Sequence, residues 1–376
     1  MASEKRSFAV FLTIVLSIWA VLHLYIFARL GIVPWIASNI STGQLILAAL
    51  ILWASYPLVR ILNAEGFERF TRLFELLATT WTGTLFLLFS ALLVTDVVTL
   101  GGWLVAGFAG SVYGWAVIVA LGLALIALIQ GLRPPVIVDY EVRLEGLPRE
   151  CDGLVVVAVS DLHLGTLLGA RWLARQINRI ERLRPQLVLI VGDLVDGDVS
   201  HVERLLPELK TLRAPLGVWA VTGNHEYYAG VEESVQLLEK AGYNVLRDRN
   251  VEVIPGLVLA GVDDLTARQQ FGLAGRPWET ALKNRPPGAT IYLSHTPWKA
   301  EEAAAAGAGL MLSGHTHNGQ LWPFRFLVRL RYKLLGGRYQ IGNMTAIVCR
   351  GTGGWGPRMR LWRPAEILRI TLRTGK

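Results

Sequence analysis

Five of the seven histidines in this 376-residue chain follow short apolar runs, four of them within two residues of Asp, Asn or Gly. In chain order the motifs read Asp161-Leu162-His163, Gly192-Asp193-Leu194-Val195-Asp196, Gly223-Asn224-His225-Glu226, Ser294-His295 and Gly314-His315-Thr316-His317. Taken singly, an Asp-x-His is usually a solvated loop, a Gly-Asp a turn, and a Gly-His-x-His only moderately indicative of a metal. Five such motifs at five successive strand ends are not accounted for by chance. Together they offer carboxylate, imidazole and amide oxygen, with no thiolate, a donor set suited to Mn²⁺, Fe, Zn²⁺ or Mg²⁺. Seven candidate ligands are too many for one catalytic ion and about right for two ions that share a carboxylate. Two ions about 3.5–4 Å apart can clamp a phosphoryl group and activate a water.

These motifs need a scaffold that brings strand ends together. From Val136 onward, apolar strand-like runs alternate with helical stretches. Expected strands cover 136–147, 154–160, 187–191, 218–221, 257–261, 290–293, 310–312, 341–349 and 367–372, and expected helices 170–183, 201–212 and 231–241. This alternation predicts an α/β layered sandwich. In open α/β sheets, ligands converge on the carboxyl ends of strands, which is where every motif lies.

The ordered set resembles the calcineurin-like metallophosphoesterase superfamily, over roughly Val136 to the C-terminus. The resemblance implies a four-layer αββα sandwich with a two-metal site. It implies that Asp161, His163 and His317 hold one metal, that Asn224, His295 and His315 hold the other, and that Asp193 bridges them. His225 would contact the phosphate and protonate the leaving group, with Asp196 orienting it, as a general acid needs a partner that fixes its tautomer. The runs Leu154–Gly165 and Gly314–Gln320 are most similar to the membrane-associated bacterial branch, some members of which hydrolyse UDP-2,3-diacylglucosamine. Asn318 departs from that pattern, standing where many relatives carry Gly.

The first third of the chain has another texture. Four runs lack Asp, Glu, Lys and Arg: Ser7–Ala28, Leu30–Val59, Leu76–Thr95 and Val97–Leu132. About 20 apolar residues span a bilayer as a helix, so crossings are expected at Phe8–Ala28, Gln44–Val59, Leu76–Val94 and Phe108–Ile129. The first apolar stretch exceeds a signal-peptide core, and no small-x-small cleavage site follows it, so it reads as an uncleaved anchor. The mixed segment Asn63–Phe74 reads as an interfacial amphipathic helix. His23 is expected to hydrogen-bond inside the bundle and Asp96 to lie at the interface. Lys5, Arg6, Arg60, Arg69, Arg72 and Arg133 fall on one side of the crossings and Arg29 on the other. The positive-inside rule then puts both termini and the C-terminal domain in the cytoplasm, on a multi-pass inner-membrane protein. Pro134 and Pro135 close the last helix, giving domains 1–132 (transmembrane, about four helices) and 133–376.

Composition agrees with this division. The chain is 52% hydrophobic and only 18% charged, with a mean hydropathy of +0.41, which excludes an ordinary soluble enzyme and a disordered chain. The net charge of +8 is the outcome of +2 over residues 1–135, −5 over 136–302 and +11 over 303–376. Two cysteines, Cys151 and Cys349, form neither a disulfide framework nor a thiolate metal site. In the basic tail, aromatic, aliphatic and cationic residues interleave over Leu321–Leu335 and again over Arg350–Arg363, a pattern of interfacial anchoring to membrane lipids. No nucleic-acid motif accompanies the charge. The expected function is a membrane-anchored two-metal phosphoesterase acting on a phosphodiester or pyrophosphate, with an amphiphilic, lipid-linked substrate. The alternatives are a phosphodiesterase of soluble nucleotides and a non-catalytic membrane scaffold.

Overall fold

The computed structural model describes residues 2–64 and 68–375. Two compact units divide the chain: residues 1–132 with Gly356–Leu361, and residues 133–355 with 362–376.

The N-terminal unit contains α1 (Ala2–Leu30), a short α2 (Pro34–Asn39), α3 (Thr42–Ala64), α4 (Glu68–Thr99) and α5 (Ala109–Leu132). Among the described residues, four helices are long and apolar enough to cross a membrane, with cores at Thr13–Leu30, Thr42–Leu62, Thr71–Thr99 and Ala109–Leu132. Pro34 stands at the start of α2, where its missing N–H costs no hydrogen bond. Pro57 lies inside α3 without ending it. Large apolar side chains such as Leu24, Leu47, Ile51 and Val119 are exposed around these helices, as expected of helices whose solvent is lipid. The segment read as a separate amphipathic helix, 63–74, falls partly outside the described residues. α3 continues to Ala64, residues 65–67 lie outside the described residues, and Glu68 onward is already the first turn of the spanning helix α4. Backbone hydrogen bonding propagates at little cost once a long apolar helix is established.

Two ionisable groups inside the spanning helices, His23 and Asp96, are paired. His23 is buried, and its Nδ1 faces the Trp19 carbonyl at 2.8 Å, so that nitrogen donates while Nε2 accepts from Trp81 Nε1–H at 3.0 Å. Asp96 accepts from Tyr25 Oη at 2.5 Å and from Tyr113 Oη, and pairs with Arg29 at 3.0 Å. It thus joins α1, α4 and α5, in keeping with the rule that ionisable groups in spanning segments find partners.

The second unit has twelve strands: β1 (Val136–Leu144), β2 (Val155–Val159), β3 (Leu187–Val191), β4 (Val218–Val221), β5 (Asn244–Val245), β6 (Arg249–Ile254), β7 (Leu257–Gly261), β8 (Ala289–Leu293), β9 (Leu310–Ser313), β10 (Gly337–Ile341), β11 (Met344–Val348) and β12 (Glu366–Thr374). They form two six-stranded sheets, ordered β1-β12-β2-β3-β4-β5 and β10-β11-β9-β8-β7-β6. Alternation within each strand decides the layers. Val156, Ala158, Leu187 and Leu189 of the first sheet share one core with Leu257, Leu259, Ile291 and Leu312 of the second. The opposite faces are covered by helices. Val157, Val159, Val188 and Ile190 pack on Leu173, Ile177, Leu237 and Leu238 of helices 170–181 and 231–240. Ala260, Tyr292 and Met311 pack on Ala281, Leu282, Ala300 and Ala303. The result is four layers, αββα.

Two elements differ from the sequence expectation. The helix at 201–212 is split into Val199–Glu203 and Leu206–Leu209, with Pro207 in the first turn of the second piece. Proline cannot donate to the preceding turn, so a continuous helix would break there. The single strand at 341–349 is instead the second arm of the β10–β11 hairpin, turned at Gly342-Asn343, with Gly342 at φ +55°.

Candidate metal centre

Strands β2, β3 and β4 run parallel in the first sheet, and β7, β8 and β9 in the second. Asp161 and His163 follow β2, Asp193 and Asp196 follow β3, and Asn224 and His225 follow β4, whereas His295 follows β8 and His315 and His317 follow β9. Rungs continue past the strand ends and bind the loops to one another. Asp161 N–H donates to Gly192 O at 3.1 Å, His163 N–H to Asp193 O at 3.0 Å, and Leu164 N–H to Leu194 O at 2.8 Å.

All nine residues expected at a site are placed in one constellation. Asp161 Oδ1 lies 3.2 Å from His317 Nε2 and 4.0 Å from His163 Nε2, and those two imidazole nitrogens are 3.2 Å apart. Asp193 Oδ2 lies 3.8 Å from His163 Nε2 and 3.1 Å from His295 Nε2. Donor atoms of Asp161, His163 and His317 fall within 4.8 Å of one another, as do those of Asp193, His295 and His315, and those of His163, Asp193 and His225. One Asp193 carboxylate is therefore common to two donor sets. Asn224, next to His225, has a buried Oδ1 that meets no hydrogen-bond donor among the described residues.

The donor atoms are of a kind that two cations would satisfy. His295 Nδ1 faces the Val191 carbonyl at 2.7 Å and must donate to it. That leaves Nε2 turned towards Asp193 and Asp161, so a positive charge belongs between them: a proton or a metal ion. The electrostatics follow the same logic. Burial works against charge on His295, but Asp193 beside it raises the group well above its ordinary value. Burial likewise opposes ionisation of Asp161 and Asp193, yet the neighbouring imidazoles hold both carboxylates below the usual range. His163 is pushed down to about 4 by burial and by His225, and His315 to about 3 by burial and by His295. Both are thus neutral near pH 7 and present lone pairs, as metal ligands must.

His225 is different. Burial disfavours its imidazolium, but Asp193 and the Asp196 hydrogen bond raise it to about 9. Its Nδ1 faces Asp196 Oδ1 at 2.9 Å, its own N–H donates to Asp193 Oδ1 at 2.9 Å, and its ring stands edge-on to His163 at 4.6 Å. With Nδ1 committed to Asp196, Nε2 is the nitrogen left to exchange a proton with a bound molecule.

Backbone conformation carries part of the design. Asp161, His163, Asp193, His315 and His317 all lie in the left-handed region, at φ +53°, +46°, +52°, +69° and +46°. Such values are uncommon outside glycine and persist where surrounding structure over-determines them, often at functional sites. Asn318 shares this conformation at φ +51°, which Asn, among non-glycine side chains, tolerates best. Gly223 is required for another reason: its φ is ordinary, but a Cβ there would collide with the Asp193 carboxylate and lie 2.5 Å from the Asp193 nitrogen. Gly223→Ala is therefore expected to displace Asp193 and lower activity by about 100-fold or more, with reduced metal content and an unchanged far-ultraviolet circular dichroism spectrum. Normal metal content and activity would disprove this role for the glycine.

Sequence reasoning did not single out two positioning residues. Glu226 is buried, and its carboxylate accepts from Gly223 N–H at 2.6 Å, Asp193 N–H at 3.0 Å and Val195 N–H at 2.9 Å, fastening two ligand loops together. Its place three residues into Gly223-Asn224-His225-Glu226, at a helix start, was the available signal. Tyr332 Oη lies 2.7 Å from His315 Nε2, which leaves Nδ1 of that ring for a cation. Nothing in the local sequence marks that tyrosine.

An αββα sandwich with adjoining clusters of metal-donor side chains, chained through His163 and Asp193, defines the class. Residues 154–319 match the calcineurin-like phosphoesterase family. An Aquifex aeolicus protein described as an uncharacterized metallophosphoesterase is 34% identical over 237 residues, covering 62% of this chain and 90% of its own length. A Danio rerio protein described as a transmembrane protein with metallophosphoesterase domain is 36% identical over 270 residues, 69% of this chain and 62% of that protein. A Campylobacter jejuni protein, also an uncharacterized metallophosphoesterase, is 32% identical over 250 residues, 66% of each chain. This chain belongs to the calcineurin-like phosphoesterase family, and its match spans less than two thirds of the Danio protein's length.

Proposed function

We propose that this chain is a membrane-embedded, two-metal phosphoesterase that hydrolyses an amphiphilic, lipid-linked phosphodiester or pyrophosphate. Asp161, His163 and His317 hold one ion, Asn224, His295 and His315 the other, and Asp193 bridges them. Two divalent ions (Mn, Fe, Zn or Mg) bound there polarise phosphoryl oxygens and make water nucleophilic at neutral pH. His225, held by Asp196, donates its Nε2 proton to the departing oxygen. Asp193 also accepts the His225 N–H, so the bridge and the acid are kept in register.

The observation that carries the lipid part of this reading is an exposed apolar rim around the site. Helix Phe324–Arg331 leaves the last ligand motif directly, and Phe326, Leu327 and Leu330 on it are 58%, 56% and 85% exposed. Trp355 stands 6.1 Å from the His225 ring and is tied to Gln320 by two hydrogen bonds of 3.1 and 3.2 Å. On the other flank Tyr228 packs 5.3 Å from His225 and leads to Phe271, both about half exposed. An aromatic and aliphatic rim bearing arginines suits a lipid interface. The arginine and lysine distribution beside the spanning helices favours a cytoplasmic catalytic unit on the inner membrane.

The test is a substrate panel on detergent-purified, Mn²⁺-loaded protein: UDP-2,3-diacylglucosamine and other lipid phosphoesters in mixed micelles against soluble nucleotides. The reading expects kcat/KM at least about 10-fold higher for lipid substrates, a difference that a few buried methylenes supply. Preference for soluble nucleotides overturns the lipid assignment, and inactivity on every phosphoester leaves the scaffold alternative. Inverted vesicles, and not right-side-out ones, should hydrolyse impermeant bis-p-nitrophenyl phosphate.

A further inference from the structure

Helix Phe324–Arg331 reads Phe-Arg-Phe-Leu-Val-Arg-Leu-Arg, and none of its residues is buried. At 3.6 residues per turn, Phe326, Leu330 and Leu327 follow one another around a single arc of about 100°. All three are more than half exposed. Arg329 borders that arc on one side and Arg331 on the other, and exposed Lys333 follows the helix. At the start of the helix Trp322 and Phe324 are exposed in part, and the Trp322 ring packs 5.1 Å from Trp362, itself about half exposed.

The helix is fixed from behind. A Cβ on Gly319 would lie 2.4 Å from the Arg325 Cα, so the helix start rests directly on the last ligand motif. At the other end Arg331 Nη2 donates to Gln269 Oε1 at 2.9 Å, and its guanidinium lies 4.6 Å over the Trp298 ring. Tyr332, the next residue, meets His315 Nε2 through its Oη at 2.7 Å. The apolar strip is thus held outward by a helix whose two ends touch the loop of His315 and His317.

Charge decides what covers the strip. No acidic residue occurs between Glu302 and Glu366, while Arg325, Arg329, Arg331 and Lys333 lie on or beside the helix. A second copy of this chain on the same strip would set these cations against one another. An apolar strip edged by cations, with tryptophans at its margin, instead matches a helix lying in an anionic lipid surface. A bilayer is at hand, because three residues, Arg133-Pro134-Pro135, join spanning helix α5 to β1.

We propose that helix Phe324–Arg331 lies in the surface of an anionic leaflet, with Phe326, Leu327 and Leu330 among the acyl chains, and that this seating holds Tyr332 against His315. The docking is independent of the hydrolase reading above, and its effect on turnover rests on that reading.

The experiment uses full-length, Mn²⁺-loaded protein in phosphatidylcholine vesicles with and without phosphatidylglycerol. Leu330→Cys carries a nitrobenzoxadiazole label, and Cys151 and Cys349 are buried, so the label reports residue 330. Lys210→Cys, at an exposed helix end, is the aqueous reference. Both leaflets have one composition, so the orientation of insertion does not matter. In anionic vesicles the label at 330 should emit to the blue of the reference. Lipids bearing a doxyl group high on the acyl chain should quench it, at the ~5–10 Å depth of an interfacial helix. Without phosphatidylglycerol, or with Arg329→Glu and Lys333→Glu, the ratio of docked to undocked label should fall about 5-fold or more, the factor one basic residue contributes near an anionic surface. Leu327→Cys takes the place of Leu330→Cys if that variant does not fold. Emission like the reference, unquenched, overturns the docking. A blue shift without lipid quenching gives the strip to protein, a second copy or another part of this chain, and overturns it equally. The kcat for water-soluble bis-p-nitrophenyl phosphate should rise with the docked fraction, and Leu330→Asp should abolish that rise. Quenching with equal kcat in both vesicles overturns the coupling to His315 and upholds the docking. Inactivity in every vesicle removes the hydrolase reading, while the quenching still decides the docking.

Discussion

Asp193→Ala will lower kcat/KM for bis-p-nitrophenyl phosphate by about 1,000-fold or more and reduce bound metal below two ions per chain. Asp193 is the residue shared by the two donor sets, with Oδ2 3.8 Å from His163 Nε2 and 3.1 Å from His295 Nε2. Its other oxygen accepts the His225 backbone N–H at 2.9 Å. On the proposed assignment, one substitution would take a ligand from both ions and a hydrogen bond from the loop that carries His225. Paired ions supply several kcal/mol of transition-state stabilisation, and each ~1.4 kcal/mol is a factor of ten in rate. Metal analysis beside the kinetics separates loss of the ions from loss of fold, with circular dichroism as the control. Two bound ions and full activity in the variant would remove Asp193 from the bridging position.

His225→Ala will lower kcat by about 100- to 10,000-fold, the usual range for a general acid, while leaving both ions bound. The assignment rests on Asp196, which fixes Nδ1 at 2.9 Å, and on the negative surroundings that raise this imidazole to about 9. The loss should depend on the leaving group. A nitrophenolate departs with little help, so the deficit will be smallest there and largest for alkyl esters. Asp196→Asn provides the pH readout. Its carboxylate favours the protonated ring, so removing it lowers the His225 pKa and the acid form is lost at a lower pH. The basic limb of kcat should move down by about 1 unit. An unmoved limb, or a deficit identical for all leaving groups, would show that His225 is not the proton donor.

Much of this was legible in the one-dimensional pattern, for identifiable reasons. A spanning helix is dictated by local composition, because each apolar run must satisfy its backbone internally in lipid. Four such runs became α1, α3, α4 and α5. The strands that carry the site are short, apolar on both faces and followed within two residues by Gly, Asp or His. Burial between two layers leaves them no polar alternation, so β3 reads simply as Leu-Val-Leu-Ile-Val, with every position buried. The boundaries that failed are those where neighbours compete. Pro207 divided a helix that apolar periodicity alone would continue, and the Gly342-Asn343 turn moved the expected strand into a hairpin.

The sequence by itself determined the spanning helices, the identity and order of the donor residues, and most of the strands that carry them. These depend on side-chain type and on periods of two or 3.6 residues. Only the tertiary structure decided which donors lie together, that five of them hold left-handed backbone, that Glu226 ties two of their loops, and that Tyr332 meets His315. His163 and His317 stand 154 residues apart in the chain and 3.2 Å apart in space. Tyr332 reaches His315 from just beyond a helix whose local sequence says only that it is amphipathic. Contacts between strand ends are set by how two sheets pack face to face, and that packing depends on the whole core rather than on any segment of it.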